Sequence, residues 1–302
     1  MEAFASRRGD VEFWRPYLGE ILNQHGLTDS SQELAAGFNA SNPTFLQGDL
    51  AIKLFGHFPA WPKNYAAERA AHALLATDPE IAAPRLLGSG QLFKDASAGW
   101  PYLITTRMPG VPLRSAVLST ELRTSVVAEL GRQLRRVHAL QPAGVATEAD
   151  WPAGDVTAAA RRSSLPEHLV DQVEDYLTRL GPFDRVFVNS DVVANHVYVE
   201  DGRLAGIIDW GDAMLTDRHC ELIQLYRDTF QCDKSLFRVF LDAYEWPFDG
   251  NFPHQALGHA LRRQAIGLIQ HHSIDVFEPI AARFPLQEIA TLDELAVELF
   301  AT

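Results

Sequence analysis

The chain has 302 residues, enough for two domains or one two-lobed unit and ample for a large core. With 47% apolar residues, 22% charged residues, 20 glycines and 17 prolines, it is neither a disordered tail, nor a collagen-like repeat, nor a coiled-coil rod. Its 39 acidic against 26 basic residues, a formal net charge of −13, argue against nucleic acid or an anionic membrane as partner and suit a cationic small molecule.

The acidic excess is uneven, since residues 186–302 hold 18 of the acids and only 8 of the bases. Two cysteines, Cys220 and Cys232, make neither a disulfide framework nor a zinc pattern, and are expected as packing residues. No apolar run of signal-peptide length opens the chain, and no window approaches 18 uncharged apolar residues. The expectation is a cytoplasmic monomer.

In chain order, a first helix is predicted from Asp10, its N-cap, to about His25. Phe13, Tyr17, Leu18, Ile21 and Leu22 share one face, and Gly26 is the stop. Strand-like pieces follow at Ser31–Phe38, Pro43–Gln47 and Asp49–Phe55, then a helix over Lys63–Ala76, then strands at Arg85–Leu92 and Trp100–Thr106. This is a five-stranded, mostly antiparallel sheet covered by one helix. The segment Arg107-Met108-Pro109-Gly110-Val111-Pro112, two prolines flanking a glycine, reads as a joint. It divides the chain into an N-terminal lobe of residues 1–106, a hinge of residues 107–112 and a C-terminal lobe of residues 113–302.

Beyond the joint, helical periods dominate: Glu121–Leu140, Pro166–Leu180, Glu221–Phe230, Lys234–Tyr244, Gln255–His272 and Leu286–Phe300. They are interrupted by apolar runs either side of Glu200-Asp201-Gly202-Arg203, a strong hairpin signal that sets Asp191 before the hairpin and Asp209 at its exit. Carboxylates so grouped suit Mg²⁺, a hard cation that prefers oxygen ligands, and one of them could instead take a proton from an attacking hydroxyl. Spacing alone leaves the plainer alternative of turn residues and strand caps open.

The first half adds Lys53, in the alternating strand Leu50-Ala-Ile-Lys-Leu-Phe55, and Glu68, fifteen residues later on a helix. A strand lysine on nucleotide phosphates, held by a helix glutamate and followed by metal and base carboxylates from a second lobe, is the arrangement a nucleotide kinase needs. The stretch Gly37-Phe-Asn-Ala-Ser-Asn42 could form the loop over the phosphates, and alone is a weak signal.

With these residues assembled, the sequence resembles the aminoglycoside phosphotransferase branch of the protein-kinase-like fold over nearly its whole length. The marks are Asn42-Pro-Thr-Phe-Leu-Gln-Gly-Asp-Leu-Ala-Ile-Lys-Leu-Phe-Gly56, Glu68-Arg-Ala-Ala-His-Ala-Leu-Leu75, Ala83-Pro-Arg-Leu-Leu-Gly88, Trp100-Pro-Tyr-Leu-Ile-Thr-Thr-Arg-Met-Pro-Gly110, Leu130-Gly-Arg-Gln-Leu-Arg-Arg-Val-His138 and Gly206-Ile-Ile-Asp-Trp-Gly-Asp212. Within that branch it is similar to the hygromycin B phosphotransferases acting at the 7″ hydroxyl, through the early Glu12-Phe13-Trp14.

The resemblance implies an α+β, bilobal protein-kinase-like fold, with a small antiparallel-sheet N-lobe and a larger, mostly helical C-lobe. It implies ATP as phosphoryl donor, with GTP left open, Mg²⁺ as cofactor, and a hydroxyl of an aminoglycoside, hygromycin B foremost, as acceptor. Lys53 would contact phosphates, Glu68 would pair with it, Asn42 would belong to the phosphate loop, and Thr105, Arg107 and Met108 would line the adenine hinge. Asp191 matches the catalytic aspartate of the family's His-Gly-Asp brace and Asp209 the metal-holding aspartate. His196 stands where the family has its metal asparagine, with Asn195 beside it, and Asp212 and Asp217 match acids that shape the metal loop.

The brace here reads Asn189-Ser190-Asp191, and Ser190 would bear a cost at a glycine-type dihedral. Histidine at 196 suits softer ions than Mg²⁺. Both an active variant and a nucleotide-binding pseudoenzyme fit these departures; retention of Lys53, Glu68, Asp191 and Asp209 favours activity. The amines of the acceptor are expected to meet acids chosen from Asp212, Glu221, Asp228, Asp233, Asp275 and Glu278. The tandem His271-His272 does not have the spacing of a metal pair, and Trp210 stands out among the tryptophans because it follows Asp209.

Overall fold

In the computed structural model, which describes residues 6–27, 32–37, 42–56, 61–93, 99–142, 144–147, 153–181, 185–269 and 274–301, the chain divides into two units. One is Met1–Pro109 together with Ile208–Asp212; the other is Gly110–Ile207 together with Ala213–Thr302. The architecture is α+β, an antiparallel sheet with helices in the first unit and a mostly helical second unit.

Helix α1 (Val11–Gln24) starts where the Asp10 carboxylate accepts the Phe13 N–H at 3.1 Å. It stops because Gly26, at φ +67, turns the chain left-handed, so that Gly26 N–H reaches Asn23 O and Leu27 N–H reaches Leu22 O. The buried face is turned slightly from the expected one. Trp14, Leu18, Ile21 and Leu22 are buried, while Phe13 and Tyr17 pack against them at the edge.

Strands β1 (Leu34–Ala36), β2 (Thr44–Gln47), β3 (Leu50–Leu54), β4 (Leu86–Gln91) and β5 (Pro101–Thr106) form one antiparallel sheet in the order β1-β2-β3-β5-β4. Strand β3 is central, with Lys53 opposite Thr44 on one side and Leu103 on the other. Alternation sends Ile52 and Leu54 into a core with Trp14, Leu18, Ile21, Phe45, Trp100 and Tyr102. It sends Lys53 to the other face, where helix α2 (Trp61–Leu75) supplies Glu68. Each large apolar side chain fully buried in this way contributes about 1.5–3 kcal/mol. The expected phosphate loop lies largely outside the described residues, at 38–41.

In the second unit, β6 (Val111–Pro112) pairs with β8 (Val197–Glu200), which pairs with β9 (Arg203–Ile207). Asp201 and Gly202 both have positive φ, as the two-residue hairpin turn predicted from their sequence requires. Strand β7 (Arg185–Val188) pairs instead with β10 (Met214–Asp217). The helices are α3 (Thr120–His138), α4 (Ala153–Ala160), α5 (Glu167–Val170), α6 (Val173–Thr178), α7 (Cys220–Gln224), α8 (Lys234–Tyr244), α9 (Phe252–Ile269), α10 (Glu278–Ala281) and α11 (Leu292–Phe300). Helix α3 packs along α8, and α9 packs against α4, α7 and α11. No helix of the described residues is long and apolar enough to cross a membrane.

Three expected helices are broken for local reasons. At 166–180, Gln172 N–H bonds to Leu169 O while its side-chain amide takes the His168 carbonyl, so the continuous ladder ends and restarts as α6. At 286–300, Thr291 and Glu294 form a capping box that starts α11 afresh after a 3-10 turn, Leu286–Glu288. At 221–230, α7 gives way to a π-helical turn, Leu225–Thr229. Helix α4 carries no clear apolar period and was not expected. His271 and His272 lie outside the described residues.

Candidate active site

In the first unit the Lys53 ammonium donates to Glu68 Oε2 at 2.7 Å and to Asp209 Oδ1 at 2.9 Å. Burial alone would push this lysine down, but the carboxylates, Asp209 ahead of Glu68, more than reverse that and hold it above the ordinary lysine range. Glu68 is itself pushed up to about 7, first by burial and then, against the pull of Lys53, by the charge of Asp209. His72, one turn on, has Nδ1 3.1 Å from Pro84 O, and burial pushes it down to about 4.

Asp209 sits at φ +58, in the left-handed region that aspartate tolerates better than most residues. The strip after it is tied to α2 by the Asn64 amide, which donates to Gly211 O at 3.0 Å and to Asp212 Oδ1 at 3.2 Å. Trp210, between them, is fully buried and so is a packing residue. Thr105 sits in β5 opposite Ala51, and the chain runs from it through Arg107, whose N–H donates to Asp49 O at 2.7 Å, to Met108. Asn42 is buried, and its side-chain oxygen has no hydrogen-bond partner among the described residues.

In the second unit, β7 delivers the buried pair Asn189 and Ser190 to Asp191. Ser190 stands at φ +70, the conformation the sequence led one to expect of a glycine position. What holds it there was not anticipated. Glu221, with no exposed surface, accepts the Asn189 N–H at 2.5 Å and the Ser190 N–H at 3.2 Å. Arg263, also buried, donates Nε to Ser190 O at 3.2 Å and sets Nη2 3.4 Å from Asp191 Oδ1. The strained peptide is thus gripped by a carboxylate at its N–H and by a guanidinium at its C=O. Asn189 Oδ1 accepts the Asp191 N–H at 2.9 Å, keeping the bracing role expected of it.

The Asp191 carboxylate is aimed from α7: Gln224 donates its amide to Oδ1 at 2.6 Å. The loop after it is held by the π turn, where Asp228 Oδ1 accepts the Ala194 N–H at 2.7 Å and Thr229 donates to Val192 O at 2.9 Å. His196 Nδ1 lies 2.9 Å from Asp191 O and 3.5 Å from its Oδ2, so this ring props Asp191. Asn195 Oδ1 is buried and has no hydrogen-bond partner among the described residues. For a hard divalent cation a carboxylate or amide oxygen is the fitting kind of donor, in preference to an imidazole ring.

Most of the acids expected to receive amines are otherwise engaged, which corrects that expectation. Glu221 is inaccessible. Asp228 pairs with Arg114 in addition to Ala194. Asp233 caps α8 through Ser235 N–H and Leu236 N–H. Asp275 accepts from Ser164 N–H and Oγ and from Phe277 N–H. The exposed Glu278 side chain alone in this set has no hydrogen bond or ion pair among the described residues. Asp217 accepts from His219 Nδ1 at 2.6 Å and lies 3.7 Å from His259 Nε2, a buried cluster of its own.

Gln224 and Arg263 are residues that reading by motif passed over, and Glu221, expected to meet an amine of the acceptor, holds backbone N–H groups instead. Their available signal was a polar residue inside an otherwise apolar helical period, a position that requires a partner.

Comparisons with known proteins show the family and the fold. The family model described as the phosphotransferase enzyme family matches residues 32–256. Similar solved structures include a GDP complex of aminoglycoside 2′-phosphotransferase-IIIa, at 18% identity and TM-score 0.66, covering 90% of this chain and 96% of that one. A macrolide 2′-phosphotransferase from Brachybacterium faecium aligns at 17% identity and TM-score 0.59 over 94% and 98%. An aminoglycoside phosphotransferase from Streptomyces rimosus, in complex with ADP and streptomycin, aligns at 21% identity and TM-score 0.55 over 83% and 98%.

Two outcomes follow. Ser190 Oγ is buried without a partner among the described residues, so Ser190→Gly relieves the left-handed strain and loses no hydrogen bond to them; stability to urea should rise by about 1 kcal/mol, and a drop would refute the strain. The second concerns acid. His72 is pushed down to about 4 and His259, by burial, to about 3, so the unfolded chain binds protons near pH 6.5 that the folded chain refuses. Their contribution is complete above 6.5 and fades as pH falls, by about 1.4 kcal/mol per unit for each fully unbalanced proton. Glu68, raised, acts oppositely between 4.5 and about 7, one group against two. Melting temperature should fall between pH 7 and 5, and His259→Gln should flatten that fall; an unchanged slope would show His259 is not its source.

Proposed function

The chain belongs to the phosphotransferase enzyme family, and on that premise we propose that it is an O-phosphotransferase. It passes the terminal phosphoryl group of ATP or GTP to a hydroxyl of an aminoglycoside, hygromycin B being the first candidate. The observation that carries this reading is the Lys53 ammonium held between Glu68 and Asp209. A cation kept charged and fixed by two carboxylates is suited to phosphate oxygens. Asp191, held by Gln224 and Arg263, takes the proton of the acceptor hydroxyl as its oxygen bonds to the terminal phosphorus. The bond from that phosphorus to the bridging oxygen breaks, and the nucleoside diphosphate leaves. Protein groups contribute orientation and charge, the usual sources of rate in phosphoryl transfer. Mg²⁺, when bound, supplies neutralisation of phosphate charge; Asp209 would hold it, and Asn195 offers the unpartnered oxygen.

A second reading, the same reaction on another small-molecule hydroxyl, is favoured by one observation: Glu221, Asp228, Asp233 and Asp275 all have structural partners, so the amine-docking set is thin. The macrolide phosphotransferase among the similar folds supports testing that class beside the aminoglycosides.

Incubation with ATP or GTP, Mg²⁺ and panels of aminoglycosides and macrolides, read by mass spectrometry, should give a product heavier by one phosphoryl group. Asp191→Ala should lower its formation by about a hundredfold or more with nucleotide affinity retained. No product from any aminoglycoside would sink the first reading. Asn195→Ala should raise the Mg²⁺ concentration needed for half-maximal rate and His196→Ala should not; the reverse order would assign the metal to the ring.

A further inference from the structure

Arg227 lies in the π-helical turn and is half-buried. Its Nε donates to Gln224 Oε1 at 2.5 Å, and the other end of that same amide donates to Asp191 Oδ1 at 2.6 Å. One glutamine side chain therefore links this guanidinium to the proposed base. Among the described residues its two terminal nitrogens have no hydrogen bond and no ion pair.

The carboxylates close enough to act on Arg227 are Asp228, Asp191 and Asp275, and each has other donors. Asp228 holds Ala194 N–H and Arg114; Asp275 holds Ser164 and Phe277 N–H; Asp191 holds Gln224 and Arg263. Arg263 adds a second positive charge nearby, and burial acts to push Arg227 down from the usual arginine range. A half-buried guanidinium crowded by another, its natural counter-ions taken, is costly unless something else meets it. The free part is the planar fork, the shape that pairs bidentately with phosphate or carboxylate. The π turn is what brings it here, a distortion that recurs at functional sites.

We propose that Arg227 binds an oxyanion beside Asp191, either the phosphoryl group being passed to the acceptor or an acidic group carried by the acceptor itself. This rests on Asp191 facing the acceptor, the reading given above, but oxyanion binding can be measured without any acceptor. It also adds a demand that the overall acidity of the chain conceals: the group flanking the reacting hydroxyl meets positive charge.

Inorganic phosphate titrated into the wild type, Arg227→Gln and Arg227→Lys, followed by calorimetry, tests it directly. Loss of a charge-assisted pair should weaken phosphate binding by about tenfold or more in Arg227→Gln, with Arg227→Lys retaining most of it. Circular dichroism and melting confirm that both variants fold. Wild type that takes up no phosphate, or Arg227→Gln that takes it up equally, overturns the proposal. With an acceptor in hand, Arg227→Gln lowering kcat alike for all acceptors assigns the transferred phosphoryl group, while a KM rise confined to acidic acceptors assigns the acceptor's own acid. Failure of every acceptor to react would refute the kinase reading and leave the phosphate result standing.

Discussion

A carboxylate with no exposed surface fixes the geometry around Asp191. Glu221 accepts two consecutive backbone N–H groups, those of Asn189 and Ser190, and thereby pins a peptide in a conformation that serine does not choose. A buried charge unsupported by such bonds would be strongly destabilising. Here each element placed next to it answers a need: β7 presents the peptide, α7 presents the carboxylate, and α9 brings Arg263 to the carbonyl on the far side. His138 Nε2 lies 3.8 Å from Glu221, with Nδ1 2.8 Å from Tyr244 Oη, extending the polar support to α3 and α8.

The first unit solves a comparable problem with opposite signs. There a buried cation is stabilised by two acids, and the desolvation that would discharge Lys53 is overcome by Asp209 and Glu68 together. The acidity of the chain takes on a different meaning in this light. Many of the acids in residues 186–302 cap helices, accept backbone N–H groups or pair with arginines, so the surplus is in good part internal scaffolding. Net charge is a fair guide to what a protein repels and a poor one to where a ligand docks.

What was legible in the sequence had a short-range cause. Asp10 and Gly26 bound α1, Asp201-Gly202 made the hairpin, and alternation in β3 set Lys53 apart from Ile52 and Leu54. The pairing of Lys53 with Glu68 could be read from order and spacing because strand and helix are near neighbours in the chain. The grip on Asp191 could not: Glu221 and Arg263 lie 31 and 73 residues from Ser190, and only tertiary structure brings them to one peptide. The π turn was equally hidden, since its residues have good α-helical periodicity and nothing local marks the wider loop. Most of the acids assigned to amine docking have structural partners, because a charged residue far along a helix can be a cap or a counter-ion, and sequence does not separate these.

The strip Ile208–Asp212 clusters with the first unit although the residues on either side of it belong to the second. The two units are therefore not separable by a single cut. A fragment ending at the joint would keep Lys53 and Glu68 but lose Asp209, leaving a buried ammonium with one of its two acids, while the complementary fragment would carry a five-residue strip severed from the α2 side chain that ties it down. Gene dissection, domain exchange with relatives and limited proteolysis all meet the same topological fact: the ammonium on β3 is completed by Asp209, which is made well after the joint.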